Sequence, residues 1–259
     1  MKRSKITILL AIVLGMTFHS CLDLEPQDQL GGKNMWTSVN DYKQFANTFY
    51  SWTRDFSSVV YDGTHSDKRS DLITYQSYNE FSRGINSIPS SDANYTDNYK
   101  HIRRTNLLLQ NAEAYAKPED IKQYIGEAYF FRAYSYFDLL QLYGDVIITK
   151  KPLDITDPEM KVKRNDRSEV VDLIIDDLNH AVENLPAFKE LTTEEEGRIS
   201  KEGAQAFLSR VALYEGTWQK SRNGNQNTQR SANLLDIAAK AARTVIDAKY
   251  GYTLSLIHI

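Results

Sequence analysis

The sequence lacks the cysteines that a disulfide framework would need, since it has a single cysteine, Cys21, among 259 residues. One cysteine cannot form a disulfide within the chain. A large excess of positive or negative charge is also missing, because 31 basic and 34 acidic residues give a formal net charge of -3. This balance offers no electrostatic case for nucleic-acid binding. With 41% hydrophobic and 25% charged residues, the composition is that of a globular protein with one large domain or two small ones.

Recognisable catalytic motifs are missing as well. The spacing of the five histidines does not fit a zinc site, and no phosphate-binding glycine loop or nucleophile elbow is present. The clearest acidic clusters lie at 176–177 and 194–196. We expect these adjacent acids to be solvated, because nothing places two of them across a sugar at the separation that a glycosidase needs. The sequence therefore predicts a protein that is not an enzyme.

A calcium site is the one metal site that the sequence could suggest. Asp62, Asp67 and Asp71 could supply the oxygen ligands that calcium prefers, but their spacing does not fit an EF-hand loop. Aspartates in such a segment more commonly stabilise turns. We therefore predict no metal and no cofactor.

The N-terminus has the features of a bacterial lipoprotein signal. Basic residues at Lys2, Arg3 and Lys5 precede an apolar run over 6–16, which is too short to span a bilayer. Ser20-Cys21 follows, and a small residue directly before a cysteine resembles a lipobox. We predict a signal peptide over 1–20 and a lipidated Cys21 that begins a tether over 21–37. An uncleaved anchor or an ordinary secreted protein is the alternative.

The most apolar stretch of the remaining chain is 127–149, which reads EAYFFRAYSYFDLLQLYGDVIIT. Its apolar and aromatic residues are too dense for one face of a helix, so the pattern predicts a helix that is buried on several sides. Gly144 provides a helix stop, since glycine accepts the backbone conformation that closes a last turn. The β-branched run over 146–149 then favours extended backbone.

Further helices are predicted on both sides of this stretch. One begins after Ser38 as N-cap, with Asp41 completing an approximate capping box. Others are predicted over 98–116 and 168–185, after Ser200 as N-cap, and over 231–248. Small residues in the helix after Ser200 favour close approach of a neighbouring helix. The segment 55–97 is the least regular, and a long irregular segment within a compact domain is usually functional or mobile.

Two stretches resemble one known family. RAYSYFDLLQLYGDVIIT over 132–149 and GRISKEGAQAFLSRVALYEGTW over 197–218 are similar to signatures of the SusD/RagB-like nutrient-binding lipoproteins of Bacteroidetes. Ile147 departs from the pattern, since the family usually has proline there. The resemblance implies an all-α fold of tetratricopeptide-like helical hairpins with long irregular loops, in one domain over 38–259. Family members are longer, which implies an N-terminal fragment that is incomplete at its C-terminus.

The resemblance also implies a function. SusD-like proteins are lipid-anchored in the outer membrane, exposed at the cell surface, and bind oligosaccharides that they pass to a TonB-dependent, SusC-like transporter. The alternative is a helical-repeat adaptor that binds proteins and no small molecule. A glycosidase is a third and weaker alternative.

Sugar recognition requires flat aromatic rings and planar polar groups, and the irregular segment supplies both types. The resemblance assigns glycan contacts to loops between the early helices, by region only. The candidates are Tyr75, Tyr78, Phe81, Arg83 and Asn86, with Tyr95 beside them. The alternative for each aromatic is that it packs the loop against the helices. We interpret Arg132 as a structural hydrogen-bonder.

Overall fold

The computed structural model describes residues 35–53, 84–85, 87–222 and 228–249. The chain divides into two units, Met1–Thr37 and Ser38–Ile259, and the described part of the second unit is helical. Its six α-helices are α1 (Val39–Asn47), α2 (Ala93–Glu113), α3 (Lys122–Tyr143), α4 (Arg167–Asn184), α5 (Lys201–Arg222) and α6 (Thr228–Asp247). The described ranges contain no strand, only one isolated antiparallel bridge between Val146 and Asn165.

Helix α1 begins where its capping residues predict. The Asp41 amide donates to Ser38 Oγ at 3.4 Å, and the Ser38 amide donates to the Asp41 carboxylate at 2.8 Å. This reciprocal pair provides hydrogen-bond acceptors for two backbone amides that have no acceptor within the helix. The helix buries Tyr42 and Phe45, and a 3₁₀ turn over Thr48–Trp52 follows directly. The predicted capping box is confirmed.

Helix α3 is the centre of the core. It contacts α2, α4 and α1, which explains why apolar residues occupy most of its faces. Phe131, Tyr136, Leu139 and Leu140 are each at most 1% exposed. The helix ends at Gly144, which has φ 72°, and the Gly144 amide donates to the Leu140 carbonyl at 3.0 Å. The predictions of a helix buried on several sides and of its glycine stop are confirmed.

Helices adjacent in sequence pack against each other along the chain. The pairs α2 and α3, α3 and α4, α4 and α5, and α5 and α6 are all in contact. Stacking of each helix on its sequence neighbours is the arrangement of helical-hairpin repeats. The predicted all-α, tetratricopeptide-like fold is confirmed.

Some predicted details are wrong. Helix α2 begins at Ala93 rather than at 98, because the Asp92 carboxylate accepts from the Asn94 amide at 2.9 Å and caps the helix earlier. Asp177, which we expected to be solvated, is fully buried, whereas its neighbour Asp176 is 61% exposed. The last helix begins at Thr228 rather than at 231.

Candidate functional site

The five predicted sugar contacts lie outside the described residues. Tyr75, Tyr78, Phe81, Arg83 and Asn86 therefore remain predictions, as does lipidation of Cys21. The aspartates at 62, 67 and 71 also lie outside the described ranges.

Tyr95 is described, and it packs within the helical framework. Its ring lies 4.8 Å from that of Tyr99 and 5.3 Å from that of Tyr143, measured between centroids. Tyr99 in turn binds the backbone of Ile147, donating to its carbonyl at 2.9 Å and accepting from its amide at 3.0 Å. For this tyrosine the structure matches the packing alternative.

A polar and aromatic groove lies beside these residues. We name it the Trp52 groove, and it encloses about 160 Å³ where the 3₁₀ turn and the first half of α2 meet α3. Trp52 precedes the segment 54–83 by two positions in the sequence, and α2 follows that segment. The groove is lined by Trp52, Ala93, Asn94, Asp97, Asn98, His101, Tyr134 and Asp138.

One wall of the Trp52 groove is a polar face of α2. Asn94, Asp97, Asn98 and His101 follow helical spacing, which places their side chains along the same side. The Asn98 amide group donates to Asp138 Oδ2 at 2.9 Å and to the Asn94 carbonyl at 2.8 Å. These bonds fix carboxamide and carboxyl groups of two helices relative to each other.

Asp97 contributes a negative charge to this wall. Lys100 Nζ donates to its carboxylate at 2.8 Å. This hydrogen bond, together with the positive charge of Lys100, lowers the pKa of Asp97. The carboxylate is therefore ionised at neutral pH, with half of its side chain, 51%, exposed.

Trp52 forms the aromatic wall of the groove and stacks on His101, the last residue of the polar face. The rings of Trp52 and His101 stack with their centroids 4.1 Å apart and their planes at 14°. Trp52 also contacts Phe49 and Phe131, with centroid distances of 4.8 Å and 5.9 Å, so the core holds it in place. Burial lowers the pKa of His101 to about 4, and the imidazole is therefore neutral at pH 7.

This combination suits hydrogen bonding to a polyol. Carboxyl and carboxamide oxygens accept from hydroxyl groups, and aromatic rings can contact C–H surfaces. The carboxamide nitrogen of Asn98 is already engaged, since it donates to Asp138 and to the Asn94 carbonyl. In the part of the chain that the structure covers, no group of three or more His, Cys, Asp or Glu residues is placed to hold a metal ion.

A larger groove of about 590 Å³ lies between α4 and α6. Its lining is Asp172, Ile175, Asp176, Asn179, Gln229, Arg230, Asn233, Leu234 and Ile237. Because these described residues include no aromatic ring, this groove matches the requirements of sugar recognition less well than the Trp52 groove.

A buried arginine, Arg132, connects the two helices that line the Trp52 groove to each other and to α4. Arg132 Nε and Nη2 on α3 donate to the two oxygens of Asp177 on α4 at 2.8 Å and 2.6 Å, and Nη1 donates to Asn106 on α2 at 2.8 Å. Burial disfavours the charged guanidinium, but the hydrogen bonds and charge of Asp177 outweigh it and raise the pKa of Arg132. Arg132 thus joins three helices, in agreement with its interpretation as a structural hydrogen-bonder.

Two further arginines act in the same way. Arg198 donates to both oxygens of Glu127 at 2.8 Å and 2.9 Å, which fastens the segment before α5 to α3. Arg167 at the start of α4 donates to Glu215 on α5 at 2.8 Å and lies 4.2 Å from the centre of the Trp218 ring. Several of these residues belong to the two signature stretches, so those stretches encode contacts between helices.

A SusD-like family model, described as starch-binding and associating with the outer membrane, matches residues 22–213. The chain belongs to the SusD-like family.

SusD-like relatives match this chain over most of its length. SusD-like protein P38 of Formosa agariphila is 28% identical over 233 residues, which cover 82% of this chain and 42% of that protein. SusD-like protein P2 of the same organism is 28% identical and covers 85% of this chain and 45% of that protein. The chain therefore spans less than half the length of these curated relatives.

Solved SusD-like structures share the fold. A SusD-like protein of Bacteroides fragilis superposes with a TM-score of 0.63 at 24% identity, covering 89% of this chain and 42% of that one. A laminarin-binding SusD-like protein superposes with a TM-score of 0.55 at 28% identity, covering 68% of this chain and 36% of that one. None of the helices in the described ranges is long and apolar enough to cross a bilayer.

The residues of the Trp52 groove were not among the predicted site residues, although the sequence carried part of the signal. Asn94, Asp97, Asn98 and His101 repeat at helical spacing, but 94 and 97 lay in the segment that was interpreted as irregular. Asp138 is one of the few polar residues in the apolar stretch of α3. Nothing in the sequence indicated that Trp52 would stack on His101.

Proposed function

We propose that this SusD-like protein is a cell-surface lipoprotein that captures oligosaccharides by reversible binding. The observation that carries the proposal is the match of residues 22–213 to a family described as starch-binding and outer-membrane-associated. A laminarin-binding relative at 28% identity and a related fold solved with xylogluco-oligosaccharide support oligosaccharide as the ligand class.

Within this proposal, the Trp52 groove contacts the sugar. Its polar face on α2 and the Asn98–Asp138 pair provide fixed hydrogen-bonding groups, and the Trp52–His101 stack provides an aromatic wall. The predicted contacts Tyr75, Tyr78 and Phe81 lie in the segment between the 3₁₀ turn and α2. We propose that they contact the same oligosaccharide.

Calorimetric titration of the purified protein against plant, host and microbial glycans tests the binding function. We expect saturable binding to at least one glycan and loss of binding in a Tyr75→Ala/Tyr78→Ala/Phe81→Ala variant. Phe188→Ala is the control, because Phe188 is 48% exposed and does not line the groove. Absence of detectable binding to every glycan of the panel would contradict the proposal. Release of reducing ends from a bound glycan would instead indicate a glycosidase.

The proposed partner is a TonB-dependent, SusC-like transporter that receives the oligosaccharide. In this proposal the helical hairpins supply the surface for such contact. Affinity purification from outer membranes should recover the transporter with the wild-type protein. If the triple aromatic variant also recovers the transporter and glycan uptake survives, the adaptor function without a small ligand is favoured.

A further inference from the structure

We infer that the loop between α3 and α4 binds an anionic lipid surface, an inference that goes beyond glycan capture and does not depend on it. Residues 160–164 of this loop read MKVKR, and we name them the basic segment. All five are exposed, including the apolar side chains of Met160 at 51% and Val162 at 46%. The basic segment therefore presents apolar and cationic groups together at the surface.

The positive charge of the basic segment is not used within the described fold. The side chains of Lys161, Lys163 and Arg164 form no hydrogen bond or ion pair in the part of the chain that the structure describes. Three neighbouring cations without a carboxylate partner favour an anionic ligand, since complementary charge attracts and orients a binding partner.

The acidic side chains just before the basic segment are engaged elsewhere. Glu159 pairs with Lys151 at 2.7 Å, and the Asp157 carboxylate accepts from the Asp154 amide at 2.7 Å. Asp154 itself lies 3.7 Å from Arg103 on α2. These contacts draw the acids of the loop into its own turns and towards α2, away from the cations of the basic segment.

Exposed apolar side chains are concentrated in the same loop. Ile155 is 94% exposed and joins Met160 and Val162 as large apolar side chains in contact with solvent. An exposed apolar patch that alternates with lysine and arginine is typical of a surface that lies in the interface of a bilayer. The cations attract anionic headgroups, and the apolar side chains enter the boundary below them. A small soluble anion would use only the charges.

The basic segment is held in place at both ends. Before it, the Met160 amide donates to the Asp157 carbonyl at 3.0 Å within the 3₁₀ turn Pro158–Lys161. After it, the Asn165 amide donates to the Val146 carbonyl at 2.9 Å, and the Asn165 side chain accepts from the Ile148 amide at 2.9 Å. A segment fixed in this way loses little conformational freedom on binding.

The family supports a lipid surface over an acidic protein as the partner. Its description names association with the outer membrane. Lipidation of Cys21, if it occurs as predicted, would keep the basic segment near lipid at a high effective concentration, so that even weak contacts are occupied.

The test measures vesicle binding of the full chain carrying Cys21→Ala, so that acyl chains contribute nothing. Vesicles of phosphatidylglycerol mixed with phosphatidylcholine are compared with phosphatidylcholine alone by sedimentation at low salt and high lipid concentration. We expect reversible binding that is about tenfold or more tighter to the anionic vesicles. High salt should weaken it, because salt screens exposed charges.

Variants in the same Cys21→Ala background locate the contact. Each basic residue near an anionic surface strengthens binding about fivefold, so Lys161→Gln/Lys163→Gln/Arg164→Gln should weaken it about a hundredfold. Met160→Ser/Val162→Ser should also weaken binding but should leave its salt dependence in place. Circular dichroism should be unchanged in both variants, because all five side chains are exposed.

The matched control removes the same charge from another surface. Lys189→Gln/Lys240→Gln/Arg243→Gln replaces three exposed basic residues outside the loop. It should bind anionic vesicles nearly as well as the parent chain. An equal loss in this control would show that net charge, and not the basic segment, carries the binding, and would overturn the inference.

The remaining outcomes are equally distinct. Absence of vesicle binding, equal binding to both kinds of vesicle, or unchanged binding by the basic-segment variant each overturns the inference and leaves glycan capture to its own calorimetric test. If that variant keeps vesicle binding but no longer recovers the transporter from outer membranes, the basic segment contacts an acidic protein surface instead of lipid.

Discussion

Three arginines in the described part of the chain are paired with buried carboxylates from another element. The carboxylate side chains of Asp177, Glu215 and Glu127 are at most 1% exposed, and their partners Arg132, Arg167 and Arg198 are at most 14% exposed. Burying a charge is costly unless it is paired and hydrogen-bonded. Each pair therefore makes one relative placement of two helices much more favourable than others.

The first prediction concerns Asp177. The substitution Asp177→Asn keeps the shape of the side chain but leaves Arg132 charged and buried without its counter-ion. We expect a loss of about 3–5 kcal/mol in the free energy of unfolding, which is the usual cost of breaking a buried pair from one side. Urea unfolding followed by circular dichroism measures it.

The adjacent residue provides the control for that prediction. Asp176 is 61% exposed, so Asp176→Asn should change stability by less than about 1 kcal/mol, as is typical of exposed charges. Equal effects of the two substitutions would contradict the role of the Arg132–Asp177 pair.

The second prediction concerns pH and His101. Burial lowers the pKa of this histidine to about 4 from the ordinary value of 6.5. As pH falls below 6.5 the unfolded chain binds a proton before the folded protein does, so the native state loses stability. The contribution of His101 is fully present above pH 6.5 and is lost progressively as pH falls towards 4.

Unfolding curves between pH 7 and pH 4 check this expectation. His101→Gln should show a smaller loss of stability over that range than the wild-type protein. His180→Gln retains His101 and should keep the wild-type loss. Identical pH profiles for His101→Gln and wild type would show that the stacked imidazole does not carry the effect.

Helices α5 and α6 approach each other through small residues. The Ser231 hydroxyl on α6 donates to the Gly216 carbonyl at 2.8 Å, and the Ser209 hydroxyl on α5 donates to the Ala238 carbonyl at 2.9 Å. A Cβ atom at Gly216 would lie 3.0 Å from the Leu235 side chain and 3.3 Å from its backbone nitrogen. The predicted close approach of a neighbouring helix is confirmed here.

The third prediction follows from that contact. Alanine has a higher helix propensity than glycine by about 1 kcal/mol, but overpacking between two helices costs about 1–3 kcal/mol. Because the Leu235 backbone cannot move without shifting α6, we expect Gly216→Ala to lower the thermal midpoint.

Gly203→Ala is the comparison for Gly216→Ala. Its Cβ would crowd the terminal methyl group of Ile199, which can rotate away, so stability should be unchanged or slightly higher. A raised midpoint for Gly216→Ala would contradict the packing argument.

The elements themselves were largely predictable from the sequence. The capping pair Ser38 and Asp41 set the start of α1, and Gly144 set the end of α3, because both signals act through neighbouring backbone groups. The start of α2 was missed because its cap, Asp92, stands before a run of polar residues without apolar periodicity. Capping residues and the glycine stop therefore predicted one end each of α1 and α3. The start of α2 was not predicted, because a cap residue alone does not indicate a helix where apolar periodicity is lacking.

The Trp52 groove could not be predicted in the same way. Trp52, His101 and Asp138 come from three elements that are distant in sequence, and their distances depend on how α3 packs against its neighbours. The burial of Asp177 was missed for the same reason, since only the fold brings Arg132 to it. Contacts of this kind follow from packing rather than from local pattern.

Along the chain, a predicted N-terminal anchor precedes a series of helical hairpins. Residues 22–213 match the SusD-like family, and that match begins directly after Cys21. A lipid anchor at this position would hold the helical unit at a membrane surface through the predicted tether over 21–37.

The fourth prediction is that Cys21 carries the lipid. Acyl chains contribute about 0.8 kcal/mol per buried methylene, so more than one chain gives durable membrane attachment. Cys21→Ala should abolish metabolic labelling with a radioactive fatty acid and move the protein out of the membrane fraction. Ser4→Ala, within the predicted signal peptide and away from the cleavage position, is the control. Continued labelling of Cys21→Ala would contradict the assignment.

A crystal structure of the protein with a glycan that binds in the calorimetric panel tests directly whether the Trp52 groove holds the sugar. We predict that the sugar occupies the Trp52 groove and forms hydrogen bonds with the polar face of α2 or with Asp138. Sugar bound elsewhere, such as in the groove between α4 and α6, with no sugar in the Trp52 groove, would contradict the proposed binding site.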